Sequence, residues 1–175
     1  YSHTSMGRFA AGKTAPEART VKLFVLLFVF IGMGRAGGNA VYYELVGSSV
    51  ELINLNYDRV LFTLTPVLCT SARAGVAYSP LEGAHHLNLP TMLNLLIGRR
   101  RHKLEVAAGA THLFTIDKNN DDSGIRYVPR GAASLGYRRQ RDELGVFVRV
   151  TFTPLFSVRD RFLVPLFGAS VGASF

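Results

Sequence analysis

The chain has 175 residues, of which 48% are hydrophobic and 18% charged, and it contains 17 glycines and one cysteine. This composition fits one folded domain and excludes a disordered chain, and the single Cys69 excludes an intramolecular disulfide. The net charge of +8 is spread over short clusters that lack interleaved aromatic residues, which argues against a nucleic-acid partner.

The first element along the chain is the apolar run Leu23–Met33, which follows Arg19 and Lys22 and precedes several small residues. A basic segment, roughly 7–15 apolar residues and a small-residue site are typical of a secretory signal peptide. We therefore expect residues 1–36 to be an export signal region that is cleaved after Ala36. A retained transmembrane helix is less favoured because it needs about 20 apolar residues, and a buried strand or core helix would lack packing partners nearby.

The remainder of the chain, 37–175, favours an all-β domain, because short segments alternate between apolar and polar residues with a period of two. The alternation predicts strands in 40–46, 51–58, 73–78, 91–97, 103–114, 133–138, 145–153 and 167–175. Eight is the smallest strand number in the usual series of bacterial membrane barrels. We predict a closed, antiparallel, eight-stranded transmembrane β-barrel in meander order, with a lumen too narrow for a porin-like channel.

The predicted connections between these strands alternate in length, as they do in outer-membrane barrels. The fourth and sixth, Gly98–His102 and Arg139–Glu143, are short and are placed at the periplasmic end. The longer connections are placed outside the cell: Ser79–Leu89, Asp117–Gly131 and Pro154–Phe162. The second connection, Val60–Ser71, departs from this alternation because it is long, uncharged and contains Pro66. Two explanations are open: the segment extends the neighbouring strands, or the strand count is wrong at this point.

The two faces of the predicted strands differ in chemistry. One face is aliphatic, with aromatic residues near both ends that fit interfacial girdles. The other face carries charges of both signs, which we expect to form a polar network in the lumen: Glu44, Asp58, Arg73, Lys103, Glu105, Arg138 and Arg149. A soluble eight-stranded barrel fills its interior with apolar side chains, so this distribution favours a membrane barrel over a lipocalin-like barrel or a solvated sheet.

Four segments, NAVYYELVG, INLNYDR, HKLEVAAGATHLF and FGASVGASF, resemble small outer-membrane barrel proteins common in the Bacteroidota, of the OmpA/OmpX-type eight-stranded architecture. The resemblance covers most of 39–175 and implies a Gram-negative outer-membrane location, with outer-membrane lipid or lipopolysaccharide as a partner. In outer-membrane proteins, a terminal Phe with alternating apolar residues is the assembly signal that the barrel-insertion machinery reads, and Phe167, Val171 and Phe175 match that pattern. The resemblance implies no particular activity.

The sequence predicts no catalytic, metal or cofactor site. His112 lies near Thr111 and Thr115, but it falls on the outward face and lacks the His-x-Ser pattern associated with deacylases among the small barrels. His85 and His86 point to opposite faces and have no further ligand at suitable spacing.

The acidic segment 117–122 resembles an EF-hand loop, but its sixth position is Asp122 rather than Gly, and its twelfth is Val128 rather than Glu. A solvated acidic loop is therefore expected there. We expect a structural or interaction protein that acts through its outer loops, with no cofactor and no indicated oligomeric state. The alternatives are an outer-membrane lipid-modifying enzyme, a narrow pore and a soluble barrel that binds a small ligand.

Overall fold

The computed structural model describes residues 38–48, 53–81, 84–117, 125–141, 143–157 and 162–175. The predicted export signal region and most of the acidic segment 117–122 lie outside these residues. The described residues form β1 (Asn39–Leu45), β2 (Ile53–Thr65), β3 (Leu68–Leu81), β4 (Ala84–Arg99), β5 (His102–Asp117), β6 (Ile125–Arg139), β7 (Gly145–Ser157) and β8 (Phe162–Ser174). Nowhere in these segments is there a helix of sufficient length and apolarity to span a bilayer.

The strands form one closed antiparallel barrel in sequence order. Each strand pairs with its neighbours along the chain, and β1 pairs with β8. Asn39 and Phe175 complete this last pairing, because each donates a backbone N–H to the carbonyl of the other at 3.0 Å. Closure gives every strand two partners, which removes the exposed edges of an open sheet. The predicted closed, eight-stranded, all-β meander is confirmed.

The β2–β3 hairpin takes up most of Val60–Ser71, which extends the two neighbouring strands, the first of the two explanations that the sequence left open. Only residues 66 and 67 separate the two strands. The pairing of β2 with β3 shifts register twice within residues 60–65. Such bulges interrupt the alternation of faces. Residues 60–65 therefore show no period of two, and the sequence did not indicate a strand there.

The prediction of a long loop over Ser79–Leu89 was wrong, because β3 and β4 are separated only by residues 82 and 83. Ser79 pairs with His86 and Pro80 with His85, so the strands continue beyond their aliphatic part. Backbone pairing does not require apolar side chains, and a polar sequence rich in proline and histidine gave no strand signal. The fifth and seventh connections likewise shorten, to 118–124 and 158–161.

The outer surface of the barrel is a continuous apolar band. Register places one row of outward side chains across five strands: Leu95, Val106, Leu135, Phe152 and Phe167. Leu135 is 60% exposed and Phe167 is 73% exposed. The rings of Phe152 and Phe167 contact each other, with centroids 5.1 Å apart. Large aliphatic and aromatic groups therefore face outward, and the polar groups face the interior.

Candidate functional site

The interior of the barrel carries a network of three arginines and three carboxylates from six different strands. Its members are Glu44 on β1, Asp58 on β2, Arg73 on β3, Glu105 on β5, Arg138 on β6 and Arg149 on β7. All six side chains have a relative exposure of 0%. Each occupies the inward-facing register position of its strand, and the equal numbers of opposite charges allow the buried ions to compensate one another.

Arg149 is the centre of the network. Its Nε and NH2 donate to the carboxylate of Glu105 at 2.8–3.2 Å in a forked arrangement, and its NH1 donates to Glu44 Oε1 at 2.8 Å. Planar guanidinium groups suit this geometry because the parallel N–H bonds match the two carboxylate oxygens. Arg149 therefore ties β7 to β5 and to β1 across the lumen.

A second pair lies between Arg138 and Asp58, whose NH1 and Oδ2 atoms are 2.9 Å apart. Asn94 donates to the same Asp58 oxygen at 2.8 Å and to the hydroxyl of Ser71 at 2.9 Å. Arg138 also lies 3.6 Å from Glu105 Oε2. This contact joins the second pair to the group around Arg149, so the network is continuous.

The remaining oxygen of Glu44 is occupied by neutral donors. Ser48 donates to Oε2 at 2.6 Å and Asn54 donates to it at 3.0 Å. Arg73 lies 3.7 Å from the other oxygen of Glu44 and contacts the sulfur of Met92. The carboxylate of Glu44 is thus held between two arginines and a cluster of hydroxyl and amide groups.

Two buried aromatic rings lie in the lumen beside the charges. Tyr42 and Phe147 stack with their centroids 4.5 Å apart, and both are buried. Gly172 lies between them in the sheet, since it pairs with Tyr42 on β1 and with Phe147 on β7. Because Gly172 has no side chain, the space between these two strands is free for the rings of Tyr42 and Phe147 to stack. Arg149 lies over the Tyr42 ring and Arg138 over the Phe147 ring, at 5.8 and 5.9 Å from the centroids.

The structure places all seven residues of the sequence-predicted lumen set on the inner face. Six form the network, and Lys103, which is 8% exposed, pairs in register with Arg138. The sequence analysis assigned no role to Phe147, although its position between Val146 and Val148 on an alternating strand indicates an inward direction. It also assigned no role to the hydrogen bonds of Ser48, Asn94 and Ser71.

An apolar layer lies next to the charges inside the barrel. Met92, Ala107, Ala132 and Leu155 form one buried cluster. Together with the fully inaccessible network, this cluster fills the lumen with side chains. Across the described segments, no group of three or more His, Cys, Asp or Glu residues is arranged to hold a metal ion. The carboxylates of the network are held by arginines.

The histidines that were considered as catalytic or metal residues lie away from this network. His112 faces outward and its Nδ1 is 2.8 Å from the hydroxyl of Tyr127. His85 makes the same kind of contact with Tyr78 at 2.7 Å, and the two rings stack. His86 occupies the inward register position of β4.

The three residues of the predicted assembly signal all face outward on β8. Phe167 is 73% exposed, Val171 58% and Phe175 46%. They form an apolar stripe along the strand that closes the barrel against β1. The backbone of the same strand carries the small inward residues that leave room for the charges and rings of the lumen.

Comparison with known proteins gives one informative likeness. No protein-family model matches the chain, and no curated protein sequence matches it significantly. The structure is similar to the crystal structure of the N-terminal β-barrel domain of Pseudomonas aeruginosa OprF, with a TM-score of 0.55 and 14% sequence identity. The likeness covers 82% of this chain and 100% of that chain. At this identity the likeness establishes the fold, which is an eight-stranded antiparallel barrel.

Proposed function

We propose that the chain is an outer-membrane β-barrel protein of a Gram-negative cell, with a structural or interaction role. The observation that carries this proposal is the inverted arrangement of its faces. A charge network with no accessible side chain lies inside, and the outer band consists of exposed aliphatic and aromatic residues. A soluble protein rarely exposes a contiguous apolar surface of this extent, whereas a lipid bilayer requires one.

The lengths of the strands support the same proposal. A tilted strand needs about 9–11 residues to cross a bilayer, and β2 to β8 have between 13 and 16 residues. These strands are long enough to cross the hydrocarbon and extend beyond it. Histidine and tyrosine pairs lie at both ends of the outer face, at His85–Tyr78 and His102–Tyr137, where amphipathic rings favour the two interfaces.

We place the end that carries the turns 66–67, 100–101 and 140–144 in the periplasm, as short turns favour. The connections 46–52, 82–83, 118–124 and 158–161 then face outside, and the three longer ones supply the interaction surface. The proposed partners are outer-membrane lipid or lipopolysaccharide and, through the outward stripe of Phe167, Val171 and Phe175, the barrel-assembly machinery. The filled lumen favours this role over a pore.

The membrane proposal is tested by the migration of the detergent-folded chain on a gel, with and without boiling, together with far-ultraviolet circular dichroism. We expect a β-type spectrum and a shift on boiling. Leu135→Arg places a charge in the apolar band and should lower the free energy of unfolding in vesicles by about 2–4 kcal/mol. The matched control is Leu144→Arg, because Leu144 lies in the β6–β7 connection at 78% exposure. A chain that folds without detergent and tolerates both substitutions equally would overturn the proposal.

The orientation is tested on intact cells. An epitope tag inserted between residues 82 and 83 should bind antibody without lysis, and a tag between residues 66 and 67 should bind only after lysis. Both insertions lie in two-residue turns, so each is a control for the effect of the tag itself. Antibody binding only to the second tag on intact cells would reverse the proposed orientation.

A further inference from the structure

The outward-facing strand positions have a one-sided charge distribution. Among the described strand residues, none of these positions carries a carboxylate, and the permanent charges on them are Arg59, Arg99 and Arg139. Arg99 is the last residue of β4 and Arg139 is the last residue of β6. Arg59 pairs with Asn39, the first residue of β1. All three arginines therefore lie toward the same end of the barrel.

Two of these arginines form a row with a histidine. Arg99 pairs with His102, and His102 pairs with Arg139, so the three are adjacent on the outer face. We call Arg99, His102 and Arg139 the basic rim. The ring of His102 stacks on Tyr137 with its Nδ1 in contact with the hydroxyl. This contact directs the imidazole toward Tyr137, and the two neighbouring arginines in the row are exposed.

The next outward row toward the centre of the barrel is apolar. Ile97, Leu104 and Tyr137 are adjacent in register and are 42–56% exposed. The basic rim thus lies at the boundary where the apolar band ends. In a bilayer, this boundary is the level of the lipid headgroups, and long arginine side chains reach it from a strand end.

The neighbouring turns extend the positive charge of this end. Arg100, Arg101 and Arg141 surround a cleft of about 300 Å³, in which Glu143 is the acidic lining residue. The two turns are joined because the backbone N–H of Gln140 donates to the carbonyl of Arg101 at 2.9 Å. The positive potential next to the basic rim therefore comes from a fixed arrangement of two strand ends.

We propose that the basic rim binds the phosphate of an anionic phospholipid headgroup while the lipid chains cover the apolar row of Ile97, Leu104 and Tyr137. This inference rests on the proposed function, since it requires the outer band to lie in a bilayer. Guanidinium groups bind phosphate oxygens through paired N–H bonds, and basic residues at a membrane surface attract anionic lipid. Arg99 and Arg139 are too exposed to be held by the charge network of the lumen. The contact would fix the depth of the barrel in the leaflet at this end.

The proposal is tested by native mass spectrometry of the detergent-folded chain titrated with dioleoyl-phosphatidylglycerol or with dioleoyl-phosphatidylcholine. The positive charge of the basic rim predicts that the apparent Kd is about fivefold or more lower for the anionic lipid than for phosphatidylcholine. Arg139→Gln should remove most of this preference, and Arg139→Lys should retain part of it. The control is Arg126→Gln, because Arg126 is an exposed arginine on the same strand that lies at the opposite end and in an inward register position, and therefore outside the basic rim.

Three results would overturn the proposal: equal binding of the two lipids, an equal loss of preference in Arg139→Gln and Arg126→Gln, or full competition by glycerol phosphate, which has no acyl chains. The gel shift on boiling is measured on the same samples. A chain that shows the shift without the lipid preference overturns the lipid site alone. A chain that lacks the shift overturns the membrane barrel, and with it this site.

Discussion

Arg149→Met removes the centre of the charge network and should be among the most destabilising single changes in the barrel. Arg149 makes four hydrogen bonds to the carboxylates of Glu105 and Glu44. After its removal, Glu105 has Arg138 at 3.6 Å and Glu44 has Arg73 at 3.7 Å, both beyond the range of a short charged hydrogen bond. Unpairing a buried ion pair costs about 3–5 kcal/mol, mostly because the remaining charge stays buried.

A double-mutant cycle separates the electrostatic part of this loss of stability from a simple loss of packing. Glu105→Gln combined with Arg149→Met removes one of the two carboxylates that lose Arg149 in the single variant, the one that makes three of its four hydrogen bonds. We expect the combined variant to be less destabilised than the sum of the two single variants by about 2 kcal/mol, within the usual range for contacting residues. Arg126→Gln is the control, because Arg126 is exposed and its removal should leave the unfolding curve unchanged.

The assay is equilibrium urea unfolding in detergent micelles at neutral pH, followed by far-ultraviolet circular dichroism and by the gel shift. The denaturant dependence should be equal among the variants, so that the midpoints report stability. A loss below about 1 kcal/mol for Arg149→Met, or additive effects in the cycle, would refute the reasoning. Either result would mean that the buried carboxylates do not depend on Arg149 for compensation.

Three further predictions use the same unfolding assay or a bilayer recording. Phe147→Ala should lower the free energy of unfolding by about 3–5 kcal/mol because it leaves a cavity beside the ring of Tyr42. Tyr42→Phe should change it by less than about 1 kcal/mol, because the Tyr42 hydroxyl is buried without a hydrogen-bond partner among the described residues. Equal losses in the two variants would contradict the stacked arrangement. Gly172→Ala should cost about 1–3 kcal/mol, since its Cβ would lie 2.1 Å from the Val41 carbonyl oxygen, and an unchanged midpoint would show that the sheet can relax there. The wild-type chain should give no conductance steps in planar bilayers, because the network fills the lumen, and regular steps would contradict a closed interior.

The alternation of side chains made the architecture predictable from sequence. A strand has only two faces, so nine residues such as Phe167–Phe175 suffice to assign every side chain to one of them. The inward charges follow from the same rule, because Glu105 and Arg149 each lie between outward aliphatic residues. The network could thus be assigned to one face without any knowledge of which strands are neighbours across the lumen.

The pairings within the network could not be predicted in this way. Arg138 makes its shorter contact, at 2.9 Å, to Asp58 on β2 rather than to Glu105 on the adjacent strand β5, and this choice depends on strand tilt and side-chain length in the closed barrel. The strand ends also escaped prediction, since the bulges in 60–65 and the polar residues of 84–88 carry no period of two. The stacking of Tyr42 and Phe147 depends on Gly172, a coincidence of register across three strands that no single segment reveals.

The distribution of the charge network over six strands has a consequence for how the barrel forms. Arg138 and Asp58 are 80 residues apart, and Arg149 and Glu44 are 105 residues apart. A partly assembled sheet that lacks β6 or β7 would bring unmatched carboxylates into hydrocarbon, at a cost of several kcal/mol for each ion. If the barrel lies in an outer membrane as proposed, this cost disfavours insertion of separate hairpins and favours insertion of a nearly complete sheet. The charge network would then select for the full set of strands over partly assembled ones.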